Sequence, residues 1–273
     1  MPDDWDIQRD VPAMIEWTDQ QIGMIVGAHL WPLFRISSFM MTAPILGTQI
    51  VPVRTRLVLA LLVSVVVVPT LPAPPAVDPL SLNAVSIIFQ QVIIGLAMGF
   101  AVQMLFQLFV IAGQMLAMQM GLGFAAMVDP TNGISVTALS QFYLMLITLL
   151  FLAMNGHLVM FEAVIESFSI LPINETGMEA ISFWYLATRL SWMFASALTI
   201  ALPAVTAVFI VNISFGVMTR AAPQMNIFSI GFPLTVIFGL LVFWITVGGI
   251  IPQFTNFSEA TFEFMRAMLL VAP

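Results

Sequence analysis

Fifty consecutive residues, Pro79 to Val128, carry no charged side chain. As a single helix this run would reach ~75 Å at 1.5 Å per residue, far beyond the ~30 Å hydrocarbon core of a bilayer. The run must therefore either bend back on itself or be covered in part by protein instead of lipid. Composition places the whole chain in the bilayer class, since 60% of its 273 residues are hydrophobic and 8% are charged. The seven cations are all arginines, and cysteine is absent. Disulfides, thiolate metal sites and cysteine nucleophiles are thereby removed. With two histidines the chain has little material for metal or enzyme chemistry, and it has no basic nucleic-acid footprint. No metal, cofactor or catalytic constellation is expected.

The hydrophobic segments follow one another with few charges between them. Residues 1–21 form an acidic tail, in which Asp3, Asp4, Asp6, Asp10, Glu16 and Asp19 face Arg9 alone. A signal peptide begins with a basic region, so this segment is expected to be a mature tail, translocated or at the interface. Ile22 to about Val51 is the first candidate span, with Pro32 and Pro44 inside it and Arg35 between them. Proline removes a backbone donor, so this element is expected to be kinked. Leu57 to Leu71 is a second, short candidate, and the long uncharged run is the third. Ala138 to Leu171 is a fourth, Phe183 to Met218 a fifth, and Ile227 to Ile251 a sixth, kinked around Gly231-Phe232-Pro233. Phe257, Phe262, Met265 and Leu269 alternate with Glu259, Glu263 and Arg266, so the C-terminal segment is expected to be amphipathic and to lie at an interface. Loop charges orient the scheme. Arg54 and Arg56 mark one cytoplasmic turn, and Arg220 marks another, running through Gln224 and Asn226.

Four features invite a functional reading. Gly95 and Gly99 form a GxxxG step, and Gly113, Ala117, Gly121 and Ala125 continue a small-residue pattern that lets helices approach backbone to backbone. Arg35 is an intramembrane cation and hence a candidate functional site, or else a structural arginine bonded to carbonyls freed at the proline kinks. His157, Glu162 and Glu166 suit a proton relay or a solvated helix end. Gly113 to Gly133 holds Met115, Met118, Met120 and Met127 beside glycines and Asp129-Pro130. Methionines are adaptable, and the stretch reads either as close packing or as a deformable constriction that excludes water.

Several stretches in order resemble the FliR family of flagellar biosynthesis proteins, part of the type III export gate. They are WPLFR (Trp31–Arg35), TAPILG (Thr42–Gly47), VPVRTRL (Val51–Leu57), QMGLGFAAMVDP (Gln119–Pro130), NGH (Asn155–His157) and APQMNIFSIGFPL (Ala222–Leu234). The resemblance implies an all-α membrane protein of kinked helices and helical hairpins, with a FliP-like part over 22–172 and a FliQ-like hairpin over 183–253. Residues 254–273 form the tail. It implies a non-enzymatic subunit that assembles with FliP and FliQ in the bacterial inner membrane, within the flagellar basal body. FlhB is implied at the cytoplasmic entrance and FlhA nearby. The loop 120–136 would be the channel plug, carried by Met120, Gly121, Leu122, Gly123, Phe124, Met127, Val128 and Asp129. The alternatives are the virulence-injectisome counterpart and, on the kinked helices and Arg35, a small-molecule secondary transporter.

Overall fold

The computed structural model describes residues 19–72, 75, 77, 81–123, 137–174, 177–221 and 227–270, without the side chains of 19–26 and 227–230. Its axis is α3, Leu82–Gln119, a helix of 38 residues. Ser81 starts it by accepting the Ala84 N–H on its side chain at 3.2 Å, which satisfies one of the orphan donors of the first turn. From Ala84 to Ala117 the helix is buried on several faces, through Ile94, Met98, Leu105, Phe109 and Leu116 among others. Such a helix needs no polar stripe, which accounts for the uniform apolarity of its sequence. Within the described residues the long run does not bend back. The chain itself covers much of it.

Three helices surround α3. One is α1, Asp19–Thr42; a second is α4, Ala138–Ala153; the third is α6, Ala180–Ala221. The first crossing is close because α3 presents glycine there. A Cβ on Gly95 would collide with the Arg35 carbonyl and the Ser38 hydroxyl, and one on Gly99 would meet the Thr42 hydroxyl and, at 2.8 Å, the Phe39 carbonyl. At the second crossing a Cβ on Gly113 would lie 2.7 Å from the Tyr143 ring and 2.9 Å from the Ser140 Cα. Helix α2, Val53–Val67, runs into a short 3-10 turn, Val68–Thr70, and packs on α1.

The remaining helices are joined by sharp bends. α5, Gly156–Ile170, leaves α4 at 70°. Asn155 makes this corner with φ 58°, and Gly156 follows because its Cα faces the Phe151 ring, 2.5 Å from where a Cβ would sit. α7, Ile227–Val247, pairs with the distal half of α6 as a hairpin, and α8, Ile250–Leu270, turns away from it by 62°. α8 then packs against α3, α5 and α6.

Several expectations change. α1 runs through Pro32 and stops at Thr42, so Pro44 lies in the following turn and kinks nothing. Proline disfavours helical dihedrals in its predecessor, and the helix ends before Pro44 although it tolerates Pro32. α7 has Pro233 inside it, and its 62° break with the next helix falls at Gly248-Gly249, where two poor helix formers adjoin. The C-terminal segment is a helix from Ile250, and its apolar face is not spread on a membrane surface. Phe254, Phe262, Met265, Met268 and Leu269 are buried in the chain's own core. Against the six candidate spans, the described residues contain three helices long and apolar enough to span, or up to five if each bent pair is one span. On α1 the side chains of Trp31, Ile36, Phe39 and Met40 point into protein, and Arg35 is buried with them. The protein is an all-α membrane protein.

Candidate functional site

The glycine-rich stretch begins where α3 ends, and the ending is built in detail. Gly121 adopts φ 80°, the left-handed conformation that a side chain disfavours. The Leu122 N–H donates to the Ala117 carbonyl at 2.9 Å, and the Gly121 N–H donates to the Met118 carbonyl at 3.0 Å. This pair is a Schellman motif, which stops the helix and occupies two of its last carbonyls. The Leu116 carbonyl accepts from Met120 at 3.0 Å. One carbonyl of the last turn remains, that of Gln119, and a side chain from another helix takes it. Asn212 on α6 donates its Nδ2 to Gln119 O at 3.1 Å. Its Oδ1 then accepts the Thr235 hydroxyl from α7 at 3.0 Å.

The same three helices interlock apolar groups. Met120 is fully buried, its side chain seated where α7 has Gly239; a Cβ there would lie 2.7 Å from the Met120 Sδ and Cε. Gly121 faces the Phe232 ring, 3.3 Å from where its Cβ would be. Beside this junction opens a cleft of about 750 Å³, lined by Met118, Gln119, Asn212, Phe215, Thr219 and Phe232 among others. Among the described residues its walls are apolar side chains with a few amide and hydroxyl groups and no charged one. Such walls can hold, seal or guide an uncharged surface.

A second polar centre lies near the opposite end of α3. Arg35 is completely buried. Its Nε donates to Gln91 Oε1 at 2.7 Å, one terminal nitrogen to Ser167 O at 3.0 Å and Ser167 Oγ at 3.1 Å, and the other to Leu171 O at 2.9 Å. The guanidinium also stands 4.2 Å from the centre of the Phe168 ring. The acceptors expected at the proline kinks are thus found elsewhere, at the C-terminal end of α5, where the dipole favours a cation and the Ser167 carbonyl takes Arg35 as a second donor beside the Leu171 N–H. Arg35 ties α1, α3 and α5 together.

The other sequence candidates are dispersed. Gly95, Gly99, Gly113 and Ala117 lie along α3 at its crossings or in its core. Arg54 is exposed at the start of α2. Arg56 donates to the Thr48 carbonyl and, at 2.8 Å, to that of Val51, closing the turn before α2. Arg220 is exposed in the last turn of α6. Glu166 pairs with Arg266 at 2.8 Å across α5 and α8, with both side chains well exposed, while His157 Nδ1 makes no hydrogen bond. Among the described residues no three His, Cys, Asp or Glu side chains gather. Gly121, Leu122 and Gly123 are half-buried next to the cleft. Phe124, Met127, Val128, Asp129, Gln224 and Asn226 lie outside the described residues, as does most of the tail 1–21. Sequence reasoning passed over Asn212, Thr235 and Gln91. Their signal was an amide or hydroxyl within a long apolar stretch, which in a membrane helix marks a bond to another helix.

Comparison with known proteins reads the same chain as a whole. Residues 26–261 match the family described as bacterial export proteins, family 1. The flagellar biosynthetic protein FliR of Escherichia coli K12 is 35% identical over 250 residues, 92% of this chain and 94% of that protein. FliR of Pectobacterium carotovorum is 32% identical over 250 residues, covering 92% and 91%, and that of Bacillus subtilis 27% over 246 residues, covering 89% and 94%. With its apolar helices and this similarity over nearly its full length, the chain belongs to family 1 of the bacterial export proteins, the FliR family of flagellar biosynthesis.

Proposed function

We propose that this chain is a core subunit of the flagellar type III export gate in the bacterial inner membrane, within the basal body. Together with FliP and FliQ homologues it forms the channel through which unfolded flagellar proteins leave the cell. Residues 22–172 take the FliP-like role and 183–253 the FliQ-like hairpin, with FlhB at the Arg220–Asn226 turn and FlhA nearby. The loop 120–136 acts as the plug. Its work is mechanical, the exclusion of water and ions until an exported chain displaces it, and involves no catalysis.

One observation supports this reading: α3 ends in a bonded cap beside a cleft whose described lining carries no charge, so the glycine-rich loop leaves from a fixed base. A plug needs such a base to return to its resting place. The transporter alternative loses its main support, because Arg35 is engaged by four hydrogen bonds within the chain and has no role left for a substrate. Deletion of Gly121–Asp129 in the assembled complex is expected to raise ion conductance at rest, measured by ion flux across the membrane; unchanged conductance overturns the plug. Stable co-purification with FliP and FliQ tests the assembly, and loss of motility on chromosomal deletion separates a flagellar from an injectisome role.

A further inference from the structure

The polar junction at the end of α3 is more than a cap. Asn212 is a lone amide in an apolar helix, and it uses both ends of its side chain, Nδ2 toward the Gln119 carbonyl and Oδ1 toward the Thr235 hydroxyl. The donor and acceptor identities of its two neighbours fix this orientation, because a carbonyl can only accept and the hydroxyl proton points at an acceptor. Three helices therefore meet through one residue.

The Thr235 hydroxyl has a single proton and two acceptors in reach, Asn212 Oδ1 at 3.0 Å and the Gly231 carbonyl of its own helix at 2.9 Å. Losing Asn212 leaves Thr235 satisfied. Asn212 and Gln119 themselves border the 750 Å³ cleft, where water can replace their bonds. The bonded and released arrangements are thus both free of stranded polar groups. An apolar contact at this place would have no such second state. The neighbouring contacts, Met120 against Gly239 and Gly121 against Phe232, fit only when the hairpin of α6 and α7 is seated.

We propose that Asn212 is a positioning residue of the gate, a reversible latch that seats the α6–α7 hairpin on the last turn of α3 and so holds the base of the plug. This rests on the plug reading above. Release of the latch frees the hairpin from Gln119–Gly121 and lowers the cost of moving the plug.

The test uses the assembled complex and reads conductance at rest together with amide exchange at residues 119–122. Asn212→Asp, measured at alkaline pH where the carboxyl is ionised, keeps the size and the bond to Thr235 but replaces the donor to Gln119 with an acceptor. It is expected to raise conductance about fivefold, the scale of one net hydrogen bond, and to raise exchange at residues 119–122. Thr235→Val raises conductance less, and Thr235→Ser restores the wild-type value. Wild-type conductance in an assembled N212D complex overturns the latch. Should N212D not assemble, equal conductance in T235V and T235S overturns it. The deletion of Gly121–Asp129 is measured alongside: if it leaks and N212D does not, the latch alone fails, and if neither leaks, the plug reading fails first.

Discussion

Gly95 and Gly216 show how differently one residue type is used on neighbouring helices. Gly95 lies against the backbone of α1, where a Cβ would strike the Arg35 carbonyl, whereas Gly216 on α6 has open space within 4 Å. Gly95→Ala is expected to cost about 1–3 kcal/mol, because backbone atoms must move to admit the methyl. Gly216→Ala is expected to stabilise by up to about 1 kcal/mol through helix propensity alone. Thermal unfolding of the detergent-purified complex checks both, and equal midpoints would contradict the crossing geometry. The GxxxG spacing made the glycines legible as packing residues, but the partner helix was not. Arg35 was legible as a buried cation bonded to carbonyls, but not which ones: those of Ser167 and Leu171 lie 132 and 136 residues away. Asn212 and Gln119 are 93 residues apart, so no local pattern joins them.

At the scale of the element, α8 is the instructive case. Its alternation of Phe254, Phe262 and Met265 with Glu259, Glu263 and Arg266 suits a helix on a membrane surface and a helix on a protein core equally well. What decides is tertiary. Arg189 on α6 donates to the Ala260 carbonyl at 2.7 Å while its guanidinium lies over the Trp192 ring at 3.4 Å and near that of Phe264 at 4.6 Å. Trp192 in turn meets Phe257 edge-on at 5.7 Å. Arg189→Gln is expected to raise amide exchange across α8 about tenfold, the scale of one charge-assisted hydrogen bond with its ring contact, while α3 stays protected. Unchanged exchange in α8 would show that its apolar face holds it alone. The bends also divide by chemistry. Pro32 and Pro233 sit inside helices that continue past them, and Asn155-Gly156 and Gly248-Gly249, which release the backbone, make the corners of 70° and 62°.

The whole molecule keeps much apolar surface outside. On α2 the residues Leu57, Val58, Leu61, Leu62, Val65 and Val66 are all exposed, and along α7 so are Ile237, Leu241, Trp244 and Ile245. Patches of this extent require lipid or another subunit. Leu62→Asp is expected to lower the yield of membrane-inserted complex severalfold, since an acid at the centre of a span costs about 3 kcal/mol. An unchanged yield would mean that this face of α2 meets water. The sequence revealed the class of the molecule through its composition, but not which apolar helices the chain covers with itself. α1 and α3 had to be placed before that was visible. Arg35 carries a consequence for how such a chain is made. The nascent protein exposes this cation long before Ser167 and Leu171, 132 and 136 residues later, have been translated. At ~5–20 residues per second that delay is on the order of ten seconds. Through this interval α1 must wait beside water or in the insertion machinery, so the first helix to be synthesised is among the last to take its seat.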